Sequence, residues 1–225
     1  MEIIPSRVFS PLYIIFDIIF LLTFSILLFA SRRRRALVFG LLGGLLYFIV
    51  DYGIFYLLLG ARVVTGAPTA LFLFWLSMSY GLTNMAWIYL MLSKDKYRKE
   101  WSIFIFFSWI TIALLSQNFG FCMNSISIYR TTTSYHGVMA LILIIGYLIV
   151  IYLNIFKNKR IDILYLLSVG ITVQLGWEVA LLVTGIRQSG IETLIINSLI
   201  ETNLGLPYIY FIHKAIEKRF ALKGN

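Results

Sequence analysis

Charged residues are scarce in this chain, since only 13% of its 225 residues are Asp, Glu, Lys or Arg. Soluble domains carry about 25% charged residues because a water-facing surface needs them. The composition therefore excludes an ordinary water-soluble protein. Cysteine is also nearly missing: the single Cys122 excludes an internal disulfide framework and a metal cluster built on cysteines. The two histidines, His136 and His213, fall near opposite ends of the predicted helices, so no metal site is predicted.

Long apolar runs are the main feature of the sequence. Seven of them reach the roughly 20 residues that a helix needs to cross a hydrocarbon core about 30 Å thick, and they cover residues 11–31, 36–60, 69–93, 101–120, 135–156, 161–185 and 192–213. Because lipid tolerates no unpaired backbone, they predict an all-α membrane protein with seven transmembrane helices. It is expected in the plasma membrane of a bacterium or the endoplasmic reticulum of a eukaryote.

The basic residues predict the orientation of these helices. Fifteen of the 19 Lys and Arg residues fall in connections on one side of the seven-helix arrangement. The positive-inside rule places that side in the cytoplasm, which puts the N-terminus outside and the C-terminus inside. These basic runs are typical of lipid-headgroup contacts, and no nucleic-acid partner is predicted.

The first three and the last three helices resemble two copies of one unit. Shifting the sequence by 125 residues aligns Gly60-Ala61-Arg62 with Gly185-Ile186-Arg187, and a shift of 119 aligns Thr83-Asn84 with Thr202-Asn203. We therefore expect a single transmembrane domain, 1–225, built as a parallel 3+1+3 repeat. Its parts are a first repeat at 1–100, a linker helix at 101–120 and a second repeat at 135–225.

Four acidic residues lie inside predicted helices, where no Lys or Arg occurs at the same depth along the helices: Asp17, Asp51, Glu178 and Glu201. An ionised carboxylate in the membrane is costly, so these groups are expected to be protonated, to be hydrogen-bonded or to face a polar cavity, and they are functional candidates. A neutral buried carboxyl group can donate a proton. Asp17, among plain Ile, Phe and Leu, is the most consistent with a structural role.

Polar and aromatic residues accompany the other three acids at helical spacing. Together they predict a cavity with polar and aromatic walls, or, alternatively, a set of hydrogen bonds that merely joins helices. These candidate substrate-binding residues are Gln174 and Trp177 beside Glu178, Asn197 and Tyr208 beside Glu201, Tyr47 beside Asp51, and Tyr80, Asn84 and Trp87 on the third helix.

Trp177-Glu178, followed by Asn203-Leu204-Gly205 and Tyr208, resembles the integral membrane terpene cyclases of fungal meroterpenoid and indole-diterpene pathways. The resemblance implies an isomerase or lyase that needs no cofactor and acts on a prenylated or isoprenoid substrate within the bilayer. A membrane carboxylic acid would protonate an epoxide or alkene to start ring closure. Glu178 would be that acid, Glu201 or Asp51 the second carboxyl group, and Asn203 a substrate-binding residue.

A different class of protein remains open. Small sugar and vitamin-precursor carriers are also built from seven helices as three, one and three, and they hold a polar solute between the halves. The fold alone does not distinguish an enzyme from a transporter. A transporter of a small solute is therefore the alternative prediction.

Overall fold

The computed structural model describes residues 7–120, 124–130, 136–187, 195, 199 and 202–223. It contains seven long helices in these residues, of which the first six are long and apolar enough to cross a membrane. They are α1 (Pro11–Ala30), α2 (Arg34–Leu58), α3 (Thr69–Leu92), α4 (Arg98–Phe119), α5 (His136–Lys157), α6 (Ile163–Val183) and α7 (Thr202–Lys223). The predictions of a mostly helical chain and of apolar helices long enough to cross a membrane are confirmed, the latter for six helices.

The first six helices match the predicted ranges to within a few residues at each end, and local signals explain several of their ends. Ser10 caps α1 by accepting a hydrogen bond from the Leu12 backbone N–H, with Pro11 at the first helical position. Asp162 caps α6 in the same way. For the seventh predicted run, 192–213, the described helix α7 covers Thr202–Lys223 and so extends beyond the predicted end, whereas most of 192–201 lies outside the described residues.

α3 is the central helix, because 78% of its most apolar stretch is buried, against 11% for α5. It packs on α1, α2, α4 and α6. Its closest neighbour is α2, and Gly44 of α2 faces Gly81 of α3 so tightly that a Cβ on Gly81 would lie 2.3 Å from the Gly44 Cα atom. Small residues allow this approach, as expected for helix packing within a membrane.

A small sheet, which the hydropathy pattern did not predict, covers one end of the helices. Its strands are β1 (Arg7–Phe9), β2 (Arg62–Thr65) and β3 (Ile126–Arg130), in the order β1-β3-β2 with antiparallel pairing. Strands this short leave too weak a signal in a sequence read for membrane spans. We call this end the sheet end, and we call the opposite end, where the clusters 32–35, 94–99 and 157–160 lie, the basic end.

Candidate functional site

Asp51 forms a buried ion pair with two arginines. It lies in the last part of α2, where the backbone is π-helical over Ile49–Leu58. Its Oδ1 atom accepts hydrogen bonds from Arg62 Nε at 2.7 Å and from Arg130 Nη2 at 3.0 Å. Arg62 and Arg130 stand directly opposite each other on β2 and β3. Like charges in that position destabilise a sheet, and the carboxylate between them offsets the repulsion.

Glu178 on α6 holds a second pair of arginines in the same manner. Its carboxylate lies 2.8 Å from Arg187 Nη1 and 3.3 Å from Arg7 Nη2. Arg7 and Arg187 also face each other across an antiparallel bridge. The Glu178 side chain is fully buried, and a buried charge of this kind is tolerated only when it is paired and hydrogen-bonded.

Both clusters are built from the same local element. A glycine at positive φ ends the acid-bearing helix, Gly60 at 58° after α2 and Gly185 at 69° after α6. Glycine adopts this backbone conformation without steric cost. The chain then turns back, and the second residue after each glycine is an arginine, Arg62 or Arg187, that reaches the acid of the preceding helix.

These ion pairs correct the expectation that the intramembrane acids have no basic partner. Asp51 and Glu178 are each paired with two guanidinium groups, and a nearby opposite charge favours the charged form of a carboxyl group. Counting residues along helices places the arginines in outer connections. It misses that strands fold back over the helix ends and that long arginine side chains reach inward. The signal that could have revealed the pairs is the recurrent Gly-x-Arg after each acid-bearing helix.

Four arginines and two acids come together at the sheet end. In the described part of the chain, four guanidinium groups meet two carboxylates, a formal sum of +4 and −2, or +2. Burial, together with the neighbouring charge of Arg130, lowers the pKa of Arg62 to about 10 despite the hydrogen bonds to Asp51. Arg62 therefore remains protonated at neutral pH.

A cavity of about 410 Å³ extends from this charged end between α2, α3, α5 and α7. Its volume lies in the range of small-molecule sites, about 300–1,000 Å³. Arg7, Asp51, Arg62 and Arg130 line it at the sheet end. Further along are Tyr47, Ser77, Tyr80 and Tyr208, and the apolar wall consists of Leu46, Val50, Leu76, Met85, Ile209 and Ile212.

The cavity wall becomes apolar toward the basic end. On α7 the wall runs from Gly205 to Ile212, a distance of about 10 Å at 1.5 Å per residue. On α2 it runs from Phe55, beside the guanidinium of Arg62, back to Leu46. The shape thus offers charge at one end and aliphatic surface at the other.

Glu178 does not line this cavity but is connected to it by hydrogen bonds. The Tyr80 hydroxyl on the cavity wall donates to Gln174 Oε1, and Gln174 Nε2 donates to Glu178 Oε1 at 3.1 Å. Trp177 packs edge-on against Tyr80, with ring centroids 5.9 Å apart. The predicted proximity of Gln174 and Glu178 is confirmed. Trp177 does not line the cavity itself but packs against Tyr80, which does.

The remaining predicted residues are distributed differently. Tyr47 and Tyr80 line the cavity together, with ring centroids 5.0 Å apart, and Tyr208 lines it from α7. Trp87 lies elsewhere, since its Nε1–H donates to Ser102 on α4. Asn84 is buried on α3 and is not among the described residues that form the cavity wall.

The structure does not test three of the predicted residues. Glu201 and Asn197 lie outside the described residues, and Asn203 lies in α7 where only the backbone is described. Asp17, the acid with the plainest sequence surroundings, accepts a hydrogen bond from Trp75 Nε1 at 2.9 Å. This bond joins α1 to α3, in keeping with a structural role for Asp17.

Comparison with known proteins adds no relative to this description. No protein family model, no curated protein and no solved structure matches the chain. The resemblance to membrane terpene cyclases therefore remains a prediction from the residues that carry it.

Proposed function

We propose that this chain is an integral membrane enzyme that binds a terpenoid amphiphile in the cavity between α2, α3, α5 and α7 and closes rings in it. The observation that carries the proposal is the cavity itself, charged at the sheet end and apolar toward the basic end. An amphiphile would place its polar head near Arg62 and Arg130 and its apolar chain along Leu46 and Ile212. Contact between such a chain and aliphatic side chains is favourable because it removes apolar surface from water.

Ring closure of this kind is an isomerisation. A proton adds to an epoxide oxygen, whose C–O bond breaks to leave a hydroxyl group, or to an alkene carbon, whose π bond supplies the electron pair. The electron pair of a neighbouring double bond then forms the new carbon–carbon bond at the electron-poor carbon, and the resulting cation loses a proton to a base, which leaves a double bond. Tyrosine rings such as those of Tyr47, Tyr80 and Tyr208 can stabilise the cation through their faces. The guanidinium groups disfavour a cation beside them, so we assign ring closure to the tyrosine-lined and aliphatic part of the cavity.

The ion pairs change the roles of the acids. Asp51 and Glu178, each held by two arginines, serve as anions that position these arginines. Glu201 is then the remaining candidate for the proton donor. In the sequence it precedes Gly205, a residue of the cavity wall, by four positions, which is one helical turn.

The test uses the purified full chain in lipid nanodiscs with prenylated epoxides and alkenes. Mass spectrometry should show cyclic products of unchanged mass. Glu201→Gln should abolish them, whereas Glu100→Gln, an exposed acid at the start of α4, should leave turnover unchanged. Full activity in Glu201→Gln would refute the donor assignment, and absence of cyclic products from every substrate would refute the cyclase proposal.

A carrier is the second candidate, and the ionised lining of the cavity favours it. Fixed charges suit the capture of a polar solute better than they suit proton donation. Saturable uptake of such a solute into liposomes, without chemical change, would support the carrier over the cyclase. Lack of uptake under conditions where cyclic products form would exclude it.

Two further features of the arrangement belong to this proposal. The Gly-x-Arg element that follows both α2 and α6 supports a parallel repeat of α1 to α3 and α5 to α7, with α4 as the linker. The positive-inside rule supports a cytoplasmic basic end and an outer sheet end. Accessibility of single cysteines introduced at Lys96 and Thr65 to a membrane-impermeant thiol reagent would test the orientation, because only the second should react from outside.

A further inference from the structure

The walls of the cavity differ in how deeply they are buried. The wall on α3 lies inside the bundle, where Leu76 and Ser77 are each 3% exposed. The walls on α2 and α7 reach the outside of the bundle, because Leu46 is 59% exposed and Ile212 is 52% exposed although both line the cavity. In the described part of the chain, α3 is therefore the back of the cavity, and Leu46 and Ile212 border an opening at its side.

The two helices beside this opening pack on other neighbours. α2 packs mainly on α3, whereas α7 packs on α5 and α6, and α2 and α7 are not among the pairs of described helices that pack closely. An ion pair joins them near the basic end, where Arg35 Nη1 lies 3.1 Å from both carboxylate oxygens of Glu217. Toward the sheet end from this ion pair, the two helices border the cavity from either side.

Aromatic side chains close the cavity toward the basic end. Tyr89 lies one helical turn beyond Met85, a residue of the cavity wall. Its ring packs edge-on against His213 of α7, with centroids 4.8 Å apart, and against Phe39 of α2, with centroids 5.3 Å apart. The Tyr89 hydroxyl also donates a hydrogen bond to Glu217. These contacts join α2, α3 and α7 below the cavity.

The strands close the cavity at the sheet end. Arg7 of β1 and Arg62 of β2 line the cavity, are buried, and are held by Glu178 and Asp51 respectively. The side chain of Arg130, on β3, is 24% exposed. A molecule that entered here would have to displace buried ion pairs, which is costly. Among the described residues, both ends of the cavity are thus more firmly closed than its side.

The opening lies at the depth of the hydrocarbon core. Leu46 is about 18 Å from Arg34, the first residue of α2, at 1.5 Å per residue, and the core is about 30 Å thick. Leu46 and Ile212 are both aliphatic, so a hydrocarbon chain can pass between them without losing hydrogen bonds. A polar solute would first have to give up its hydrogen bonds to water, which is costly.

We propose that the cavity opens sideways into the bilayer between α2 and α7 and that its substrate enters from the hydrocarbon core. This inference rests on the proposed function, because it names the phase from which the amphiphile reaches the cavity. The substrate is then a molecule that dissolves in lipid, and its chain passes between Leu46 and Ile212. A water-soluble solute cannot use this route, which favours the enzyme over the carrier.

The test is photolabelling of the full chain in phosphatidylcholine nanodiscs. One probe is a phosphatidylcholine with a diazirine near the end of an acyl chain, and the other is dodecanol with a diazirine on its chain. Mass spectrometry locates the label. Both probes should label the α3 wall at Leu76, Ser77 or Met85, which are at most 9% exposed and so are reached only through the cavity. The mostly exposed helix α5 serves as the internal reference.

Narrowing the opening should protect the α3 wall. Leu46→Trp combined with Ile212→Trp should lower labelling of that wall by at least about fivefold relative to α5, because two indole rings occupy the space that the chain must cross. Leu42→Trp combined with Leu22→Trp is the matched control, since both residues are 60% exposed and neither is a cavity residue. The control should change the labelling by less than about twofold, because exposed positions tolerate substitution.

The outcomes separate this inference from the proposed function. If dodecanol labels the α3 wall equally with and without the two indole rings at the opening, the sideways entrance is overturned and the amphiphile cavity remains. If neither probe labels the α3 wall in the wild type, the proposed function itself is overturned. If only the phosphatidylcholine probe fails to label it while the indole rings block dodecanol, the entrance is supported for amphiphiles with a single chain.

Discussion

Replacing Asp51 by asparagine is expected to destabilise the sheet end strongly. The substitution keeps the size of the side chain and removes the charge that separates Arg62 from Arg130. The two guanidinium groups would then oppose each other across β2 and β3 without the Asp51 carboxylate between them. Because the Arg62 side chain is only 1% exposed, it cannot escape into water without moving the strand.

The magnitude follows from the burial of the three side chains. One charge pair about 4 Å apart is worth about 4 kcal/mol at an effective dielectric constant near 20. Removing one partner of a buried ion pair typically costs about 3–5 kcal/mol. Arg130 is 24% exposed and partly screened, so we expect a loss of about 3 kcal/mol. For a chain of this length that loss lowers the unfolding temperature by about 6–12 °C.

Thermal unfolding in one detergent, followed by tryptophan fluorescence, measures this effect. Asp17→Asn is the matched control, since Asp17 is also buried but accepts its hydrogen bond from Trp75 Nε1, and an asparagine oxygen can still accept it. Its loss should stay below about 1 kcal/mol. Adding Arg62→Gln to Asp51→Asn should recover part of the stability. Equal shifts for the two single variants, or additive losses in the double variant, would refute the ion-pair interpretation.

Two further predictions concern helix packing and pH. Gly81→Ala should destabilise the protein by about 1–3 kcal/mol, because the new Cβ would lie 2.3 Å from the Gly44 Cα atom. Gly53→Ala is the control and should not destabilise it, because a Cβ on Gly53 would have no neighbouring atom within 4 Å. Equal melting temperatures for the two variants would contradict the tight contact between α2 and α3. Asp95 at the basic end is partly buried, which acts to raise its pKa, yet hydrogen bonds from Arg33 and the Tyr97 backbone lower the pKa below its usual value. The ionised Asp95 carboxylate therefore stabilises the fold above about pH 4, and this stabilisation is lost as the pH falls through the lowered pKa. The difference in melting temperature between the wild type and Asp95→Asn should shrink below about pH 4. A difference that stays constant with pH would contradict this role of Asp95.

Much of the helical framework could be predicted from the sequence. Runs of apolar residues long enough to cross a bilayer fixed α1 to α6 to within a few residues, because each helix satisfies its own backbone and needs only an apolar surface. Neighbours within one helix could also be predicted: the four-residue spacing placed Gln174 and Glu178 on the same helix face, where they form a hydrogen bond. Tyr47 and Tyr80 were predicted as cavity residues and line the cavity, whereas Trp87 packs toward α4 through Ser102.

The sequence by itself thus determined the membrane environment and the positions of six membrane-length helices, since hydropathy and helical periodicity are local properties. Only the tertiary structure decided the charge state of the site. Arg7 and Arg187 meet Glu178, and Arg130 meets Asp51, across separations of 171, 9 and 79 residues. Such contacts depend on how β1, β2 and β3 pair over the helix ends. Hydropathy carries no information about that pairing, which places arginines beside the acids predicted as proton donors.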